Sequence, residues 1–250
     1  MKYLLILFLM GCSQAPNIAK NAAVKCDNVK TLIGGTPVIG EFREVVMIQT
    51  DTSLCSATIV GPKTLLTAGH CGETGDTLWF FLDKTKIEGS FQKSTDLELD
   101  LGLLVLETSI PKNKIGKYAT IYSDPISKGE KIWATGFGCT GIDKGGAGVL
   151  RKGSTYISDF DSENFVFSGQ PTLCFGDSGS SVFLYGQPDD YLIGVNSKSN
   201  IKDKSISVRM DSDKSKAFLK NMSTSLSLGI CGVNLKCNQT QPTQVDNCPT

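Results

Sequence analysis

Residues 56–71 read SATIVGPKTLLTAGHC, two short β-type runs, SATIVG and LLTAG, parted by Gly-Pro and ending at His70. His70 is the only histidine among 250 residues. Cys55 and Cys71 bracket both runs. A bridge between them would fasten the histidine turn to the preceding strand, and closing a loop of about 16 residues contributes about 3 kcal/mol.

The same grammar continues outward. VVMIQT, TLWFFL, LGLLVLE, KIWATGFG, ENFVFSG, SSVFLYG, LIGVNS and SISVRM are short apolar or alternating runs punctuated by Gly, Pro and Asp. Many strands separated by turns argue for an all-β sandwich or barrels, not for alternating strands and helices. The best helical stretch after Leu32 is DSDKSKAFLKNMS, with Asp211 or Ser212 as cap and Phe218 and Met222 four residues apart.

Composition sets the outer bounds. With 40% apolar and 20% charged residues, the chain reads as globular. Its 25 basic residues balance 25 acidic ones, so the totals give no reason to expect a nucleic-acid partner. The start, MKYLLILFLMG, puts one lysine before an apolar run too short to span a bilayer, which reads as an export signal over residues 1–11. Residues 12–31 read as a polar tether or propeptide, and residues 223–250 as a polar, cysteine-bearing tail.

The nine cysteines fit an exported, oxidised chain. The absence of a CxxC pair and the single histidine weigh against a zinc site, and no metal or other cofactor is expected.

Far from His70 lies SGQPTLCFGDSGSSVFLYG, with Ser178 set among small residues. Such a serine is accessible, and backbone N–H groups beside it can approach a reacting carbonyl. A serine nucleophile needs an adjacent base, and the base needs a third group to set its tautomer. His70 is the base candidate, and Asp100, preceding the nearly all-apolar LGLLVLE, is the third group. Asp96 lies nearby in a more solvated stretch.

At these residues the chain resembles the trypsin and chymotrypsin-like serine proteases. TAGHC is similar to the family's TAAHC, DLGLLVL to DIALLKL, and GDSGS to GDSGGP, in the same His, Asp, Ser order. The resemblance covers about Leu32 to Met222. It implies two packed antiparallel six-stranded β-barrels with a C-terminal helix, and a catalytic set of His70, Asp100 and Ser178. By the same resemblance the N–H groups of Gly176 and Ser178 form the oxyanion hole, and protein or peptide substrates are implied. A monomer is expected.

The LMGC around Cys12 resembles the bacterial lipoprotein signal. It implies a lipid on Cys12 and a periplasmic or outer-membrane-anchored protein, with plain secretion as the alternative.

Three departures from the family pattern carry consequences. LIGG at Leu32–Gly35 stands where the family's mature chain begins, so a cut before Leu32 would free an ammonium for Asp177. Thr31 is not the basic residue usual before that cut, which implies a separate activating protease, trimming, or an active shape reached differently. Cys139 and Cys174 border the expected active-site loops without their usual partners, making a bridge between them the expectation. The connectivity of Cys26, Cys231, Cys237 and Cys248 stays open.

Thr172 stands at the place resembling the specificity-pocket floor, where trypsin-type enzymes carry aspartate. Ser197, Lys198 and Ser199 resemble its walls, and Ser205 its back. Without a buried anion there, a preference for Arg or Lys loses its physical reason. The pocket reads as polar and narrow, suited to a small uncharged side chain, or to an acidic one attracted by Lys198, Lys202 or Lys204. The first functional reading is a serine endopeptidase. The competitors are a catalytically weak or inactive protease-like binding module and a purely structural surface lipoprotein.

Overall fold

The computed structural model describes residues 32–50, 53–141, 145–187 and 191–237. The signal, the tether and three cysteine positions, Cys12, Cys26 and Cys248, lie outside these residues.

Two closed six-stranded antiparallel β-barrels make up the molecule. The first contains β2 (Val45–Gln49), β3 (Leu54–Gly61), β4 (Thr64–Thr67), β5 (Thr77–Leu82), β6 (Thr85–Lys93) and β7 (Gly102–Leu106), in the order β2-β3-β4-β7-β6-β5. The single pairing Gln49↔Trp79 closes it. Ile48, Ile59, Leu65, Phe80, Phe91 and Leu104 fill its interior without solvent exposure. Gly102 is required by that packing, because a Cβ there would fall 2.4 Å from the Phe91 ring.

The second barrel runs through β9 (Lys131–Gly136), β10 (Arg151–Phe160), β11 (Asn164–Ser168), β12 (Ser181–Leu184), β13 (Tyr191–Ser199) and β14 (Lys204–Arg209). The β9–β10 ladder closes it, while β1 (Thr36–Pro37) adds to β10 and β8 (Thr120–Ile121) runs parallel to β13. Its core includes Ile132, Ile157, Phe165, Phe167, Val182 and Ile193. The larger apolar cluster extends from the first barrel to Phe183, Val195, Val208 and Leu219, so the barrels share buried surface.

One turn of helix, α1 (Lys112–Ile115), precedes the crossover, and α2 (Asp213–Ser225) follows the last strand. Ser212 caps α2 by accepting the Ser215 N–H, satisfying one of the donors left open at a helix start. Asp211 has another role: it is paired with Arg209 and accepts the Ile126 N–H. The chain then returns to the first barrel, where Cys231 donates its N–H to Val60 O and its own carbonyl accepts from Ile121. A Cys231–Cys237 disulfide closes this returning segment, resolving two of the four open cysteines. No helix among the described residues is long and apolar enough to cross a membrane.

Candidate active site

Strand β4 runs straight into a short 3-10 turn, Gly69–Cys71, which presents His70. The Cys55–Cys71 disulfide ties that turn to β3, as the spacing predicted. Cys55, His70 and Cys71 cluster closely enough to mimic a metal ligand set, but both sulfurs are spent in the disulfide.

Asp100 enters β7 from the neighbouring strand connection and grips the histidine twice. Its Oδ1 accepts the His70 backbone N–H at 2.8 Å, and its Oδ2 lies 2.8 Å from Nδ1. An ionised carboxylate only accepts, so Nδ1 carries the proton and Nε2 keeps its lone pair for use as a base. Gly69 matters here, because a Cβ would come to 3.2 Å from Asp100 Oδ1 and 3.1 Å from Leu101 O. Burial alone would raise the Asp100 carboxyl. Hydrogen bonds from His70 and Ser197, with the attraction of His70, outweigh it and hold the group below its ordinary range.

Ser197 is therefore part of the charge arrangement. Its hydroxyl donates to Asp100 Oδ2 instead of facing a substrate pocket.

The serine turn comes from the second barrel. Ser178 is half-buried, with its carbonyl accepting the Ser56 N–H at 2.7 Å and lying 3.9 Å from Cys71 Sγ. Gly179, at φ 82°, docks this turn onto the first barrel so closely that a Cβ would meet Thr67 Oγ1 at 2.0 Å and Ser56 O at 2.2 Å. His70, Asp100 and Ser178 are thus brought to one seam between the barrels. The Ser178 hydroxyl makes no hydrogen bond among the described residues; in unliganded active sites such contacts are often long and tighten with substrate.

Gly176 adopts φ 97°, which orients its peptide, and the Ser56 hydroxyl holds its carbonyl at 2.7 Å. The N–H groups of Gly176 and Ser178 have no backbone acceptor among the described residues. Ser56 is a position that the sequence did not single out: one residue accepts the Phe137 N–H, holds Gly176 and holds Ser178.

Asp177 points the other way, into the second barrel, and is fully buried. Its oxygens accept the N–H groups of Gly138 and Cys174, each at 2.8 Å. Burial pushes its carboxyl up to about 7, against the lowering effects of those two bonds and of Arg151. Cys139 and Cys174 are joined by a disulfide, as expected, stapling the loop that carries Gly138 to the one carrying Asp177. Leu32 is fully buried in the second core, and Ile33 bridges Thr172.

The predicted pocket residues also gather, and four of their hydroxyls make hydrogen bonds within the protein. Thr172 is fully buried and donates to Gly169 O at 2.7 Å; Ser205 accepts the Leu173 N–H at 3.0 Å; Ser199 accepts the Ile201 N–H at 2.9 Å. Thr172 and Ser197 thus commit their hydroxyl protons to Gly169 O and Asp100, while Ser199 and Ser205 accept backbone N–H groups. Lys198 remains exposed on β13.

A family model described as Trypsin matches residues 32–214, well over half of the chain. The chain belongs to the trypsin family. Its matched span begins at Leu32, whose neighbour Ile33 pairs with Thr172, and includes both barrels up to the start of α2. No curated protein matches it significantly. Trypsin-family membership makes it a serine protease-like chain, with protein or peptide substrates as the family's substrate class.

Proposed function

We propose that this chain is an active serine endopeptidase. The observation that carries the reading is the double grip of Asp100 on His70 at the seam where the Gly176–Ser178 turn docks. His70 Nε2 takes the Ser178 proton as Oγ forms its bond to the scissile carbonyl carbon. The carbonyl π electrons move onto oxygen, facing the N–H groups of Gly176 and Ser178. Collapse expels the amine, which takes the proton from His70, and leaves an acyl-enzyme. Water then repeats the sequence and releases the acid. One oxyanion-hole donor is worth about 2.7–4 kcal/mol in the transition state.

Cleavage before Leu32 is the proposed activation. Leu32 has φ 44°, left-handed backbone that costs a bulky residue about 1–3 kcal/mol, and a cut there removes the constraint. The new ammonium would serve Asp177. Thr172 gives the pocket floor no anion, so the P1 residue is proposed to be small or uncharged and not Arg or Lys.

Export is proposed through the residue 1–11 signal, with lipid on Cys12 as anchor at the cell envelope. Ser180 stands where the family's GDSGGP has the second glycine after its serine, a departure that favours the binding-module alternative. Here Ser180 is buried and its hydroxyl bonds Thr135 at 2.9 Å, a fit that leaves the catalytic turn intact.

The test is fluorophosphonate labelling of chain lacking the signal, before and after exposure of Leu32, with Ser178→Ala beside it, followed by peptide-library cleavage. Labelling confined to Ser178-containing protein is expected. Equal labelling of Ser178→Ala would overturn the nucleophile. An activated, correctly bridged protein that neither labels nor cleaves would make it a binding module.

A further inference from the structure

The geometry points to Arg151 as an internal counter-charge for Asp177, holding the Gly176–Ser178 turn in working shape before any cut at Leu32; this rests on the activation proposed above. Asp177 lies directly against β9, where a Cβ on Gly136 would fall 2.0 Å from Oδ1 and one on Gly138 would fall 2.5 Å from Cγ. Two glycines make room for this carboxylate. Across the ladder, the partner of Gly136 is Arg151, at the start of β10.

Arg151 is only 5% exposed, which is unusual for a residue that stays charged under all ordinary conditions. Its Nη1 donates to Gly146 O at 3.0 Å and Val149 O at 2.6 Å, fixing the head group, while its buried Nε has no hydrogen-bond partner. Both oxygens of Asp177 have a backbone donor, yet N–H dipoles do not cancel a full charge, and a buried anion needs a cation. The β9–β10 register sets Arg151 beside Gly136, against which Asp177 lies; burial disfavours the charge of each side chain, and their mutual attraction opposes that. Lys152, next along β10, is instead paired with Glu41.

The consequence is a chain with reactivity before cleavage. A cut at Leu32 brings a second cation to a carboxylate that already has one, so cleavage amplifies an existing shape instead of creating it. This also fits a junction whose Thr31 offers no basic residue to a trypsin-type activator.

The experiment compares wild type, Arg151→Gln and Arg151→Lys as intact chain and after cleavage before Leu32, with termini checked by mass. Two readouts are used: the Asp177 titration midpoint by carboxyl ¹³C NMR, assigned with Asp177→Asn, and the rate of fluorophosphonate labelling. In intact chain, Arg151→Gln is expected to raise the midpoint by about one unit, tenfold in protonation. Labelling should fall about tenfold in intact chain and less than about twofold in cleaved chain, where the ammonium substitutes. Arg151→Lys should preserve both values, which separates charge from side-chain volume.

An unmoved midpoint would overturn the inference. So would equal losses before and after cleavage that lysine fails to restore, since those mark a merely structural role. Wild type that labels only after cleavage would remove the claim of a pre-formed turn. If no form labels, the proposed activity fails, while the NMR midpoint still decides whether Arg151 governs Asp177.

Discussion

The two barrels contribute to one seam by different physical means. The first presents His70 from a turn locked by a disulfide and by two bonds to Asp100, on a barrel whose core is filled by Ile48, Ile59, Leu65, Phe80, Phe91 and Leu104. The second presents Ser178 from a turn anchored by a buried carboxylate, with Thr135, Ser180, Asn196 and Ser207 linked by hydrogen bonds beside it. His70 is therefore held by a covalent link and by two directional bonds to a carboxylate that its partners keep ionised. Ser178 is held by a carboxyl whose charge is costly where it is buried and depends on its partners.

The sharpest way to break the comparison is at its common point. Asp100→Asn keeps the shape but offers His70 an ambiguous partner, so kcat should fall about 10⁴-fold while the unfolding midpoint changes little. A loss under tenfold would remove Asp100 from the role assigned to it.

Next comes the covalent constraint. Replacing Cys55 and Cys71 together by alanine should cost about 3 kcal/mol in urea unfolding, from release of a 16-residue separation. If activity of the remaining folded protein were unchanged, the disulfide would serve stability alone and not the presentation of His70.

The smallest effect is the most selective. Asp177 goes from an ordinary 3.8 to about 7 on burial, so between those values the folded intact chain binds more protons than the unfolded chain. Stability from this group is full below the lower value and falls as pH rises through the upper one. Thermal unfolding of intact Ser178→Ala protein should show this decline, Asp177→Asn should flatten it, and cleavage before Leu32 should reduce it. For Asp100, held low, the sign reverses: its contribution is present above the ordinary carboxylate range and is lost only as pH falls below it.

Much of the fold was legible because strands such as TLWFFL and LGLLVLE place their apolar residues where a barrel interior needs them. Two of the barrel strands were not. β6, TKIEGSFQK, buries chiefly Gly89 and Phe91, and β10, RKGSTYISDF, turns Arg151, Gly153, Thr155 and Ile157 inward. An inward face made of arginine, glycine and threonine has no hydrophobic period to detect. The same disguise hid Arg151 as a functional candidate.

By itself the sequence determined the β class, the order of His70, Asp100 and Ser178, and the bridge beside the histidine. Those signals are local: each is carried by residue types at short spacing. Only the tertiary structure decided that Ser197 serves Asp100, that Ser56 holds the Gly176 carbonyl, that Thr172 keeps its hydroxyl for Gly169, and that Arg151 pairs across the ladder with Gly136, against which Asp177 lies. Each of these depends on which way a hydroxyl or charge turns once buried. That choice is made by the nearest unsatisfied partner, often contributed by the other barrel or by a strand distant in the chain.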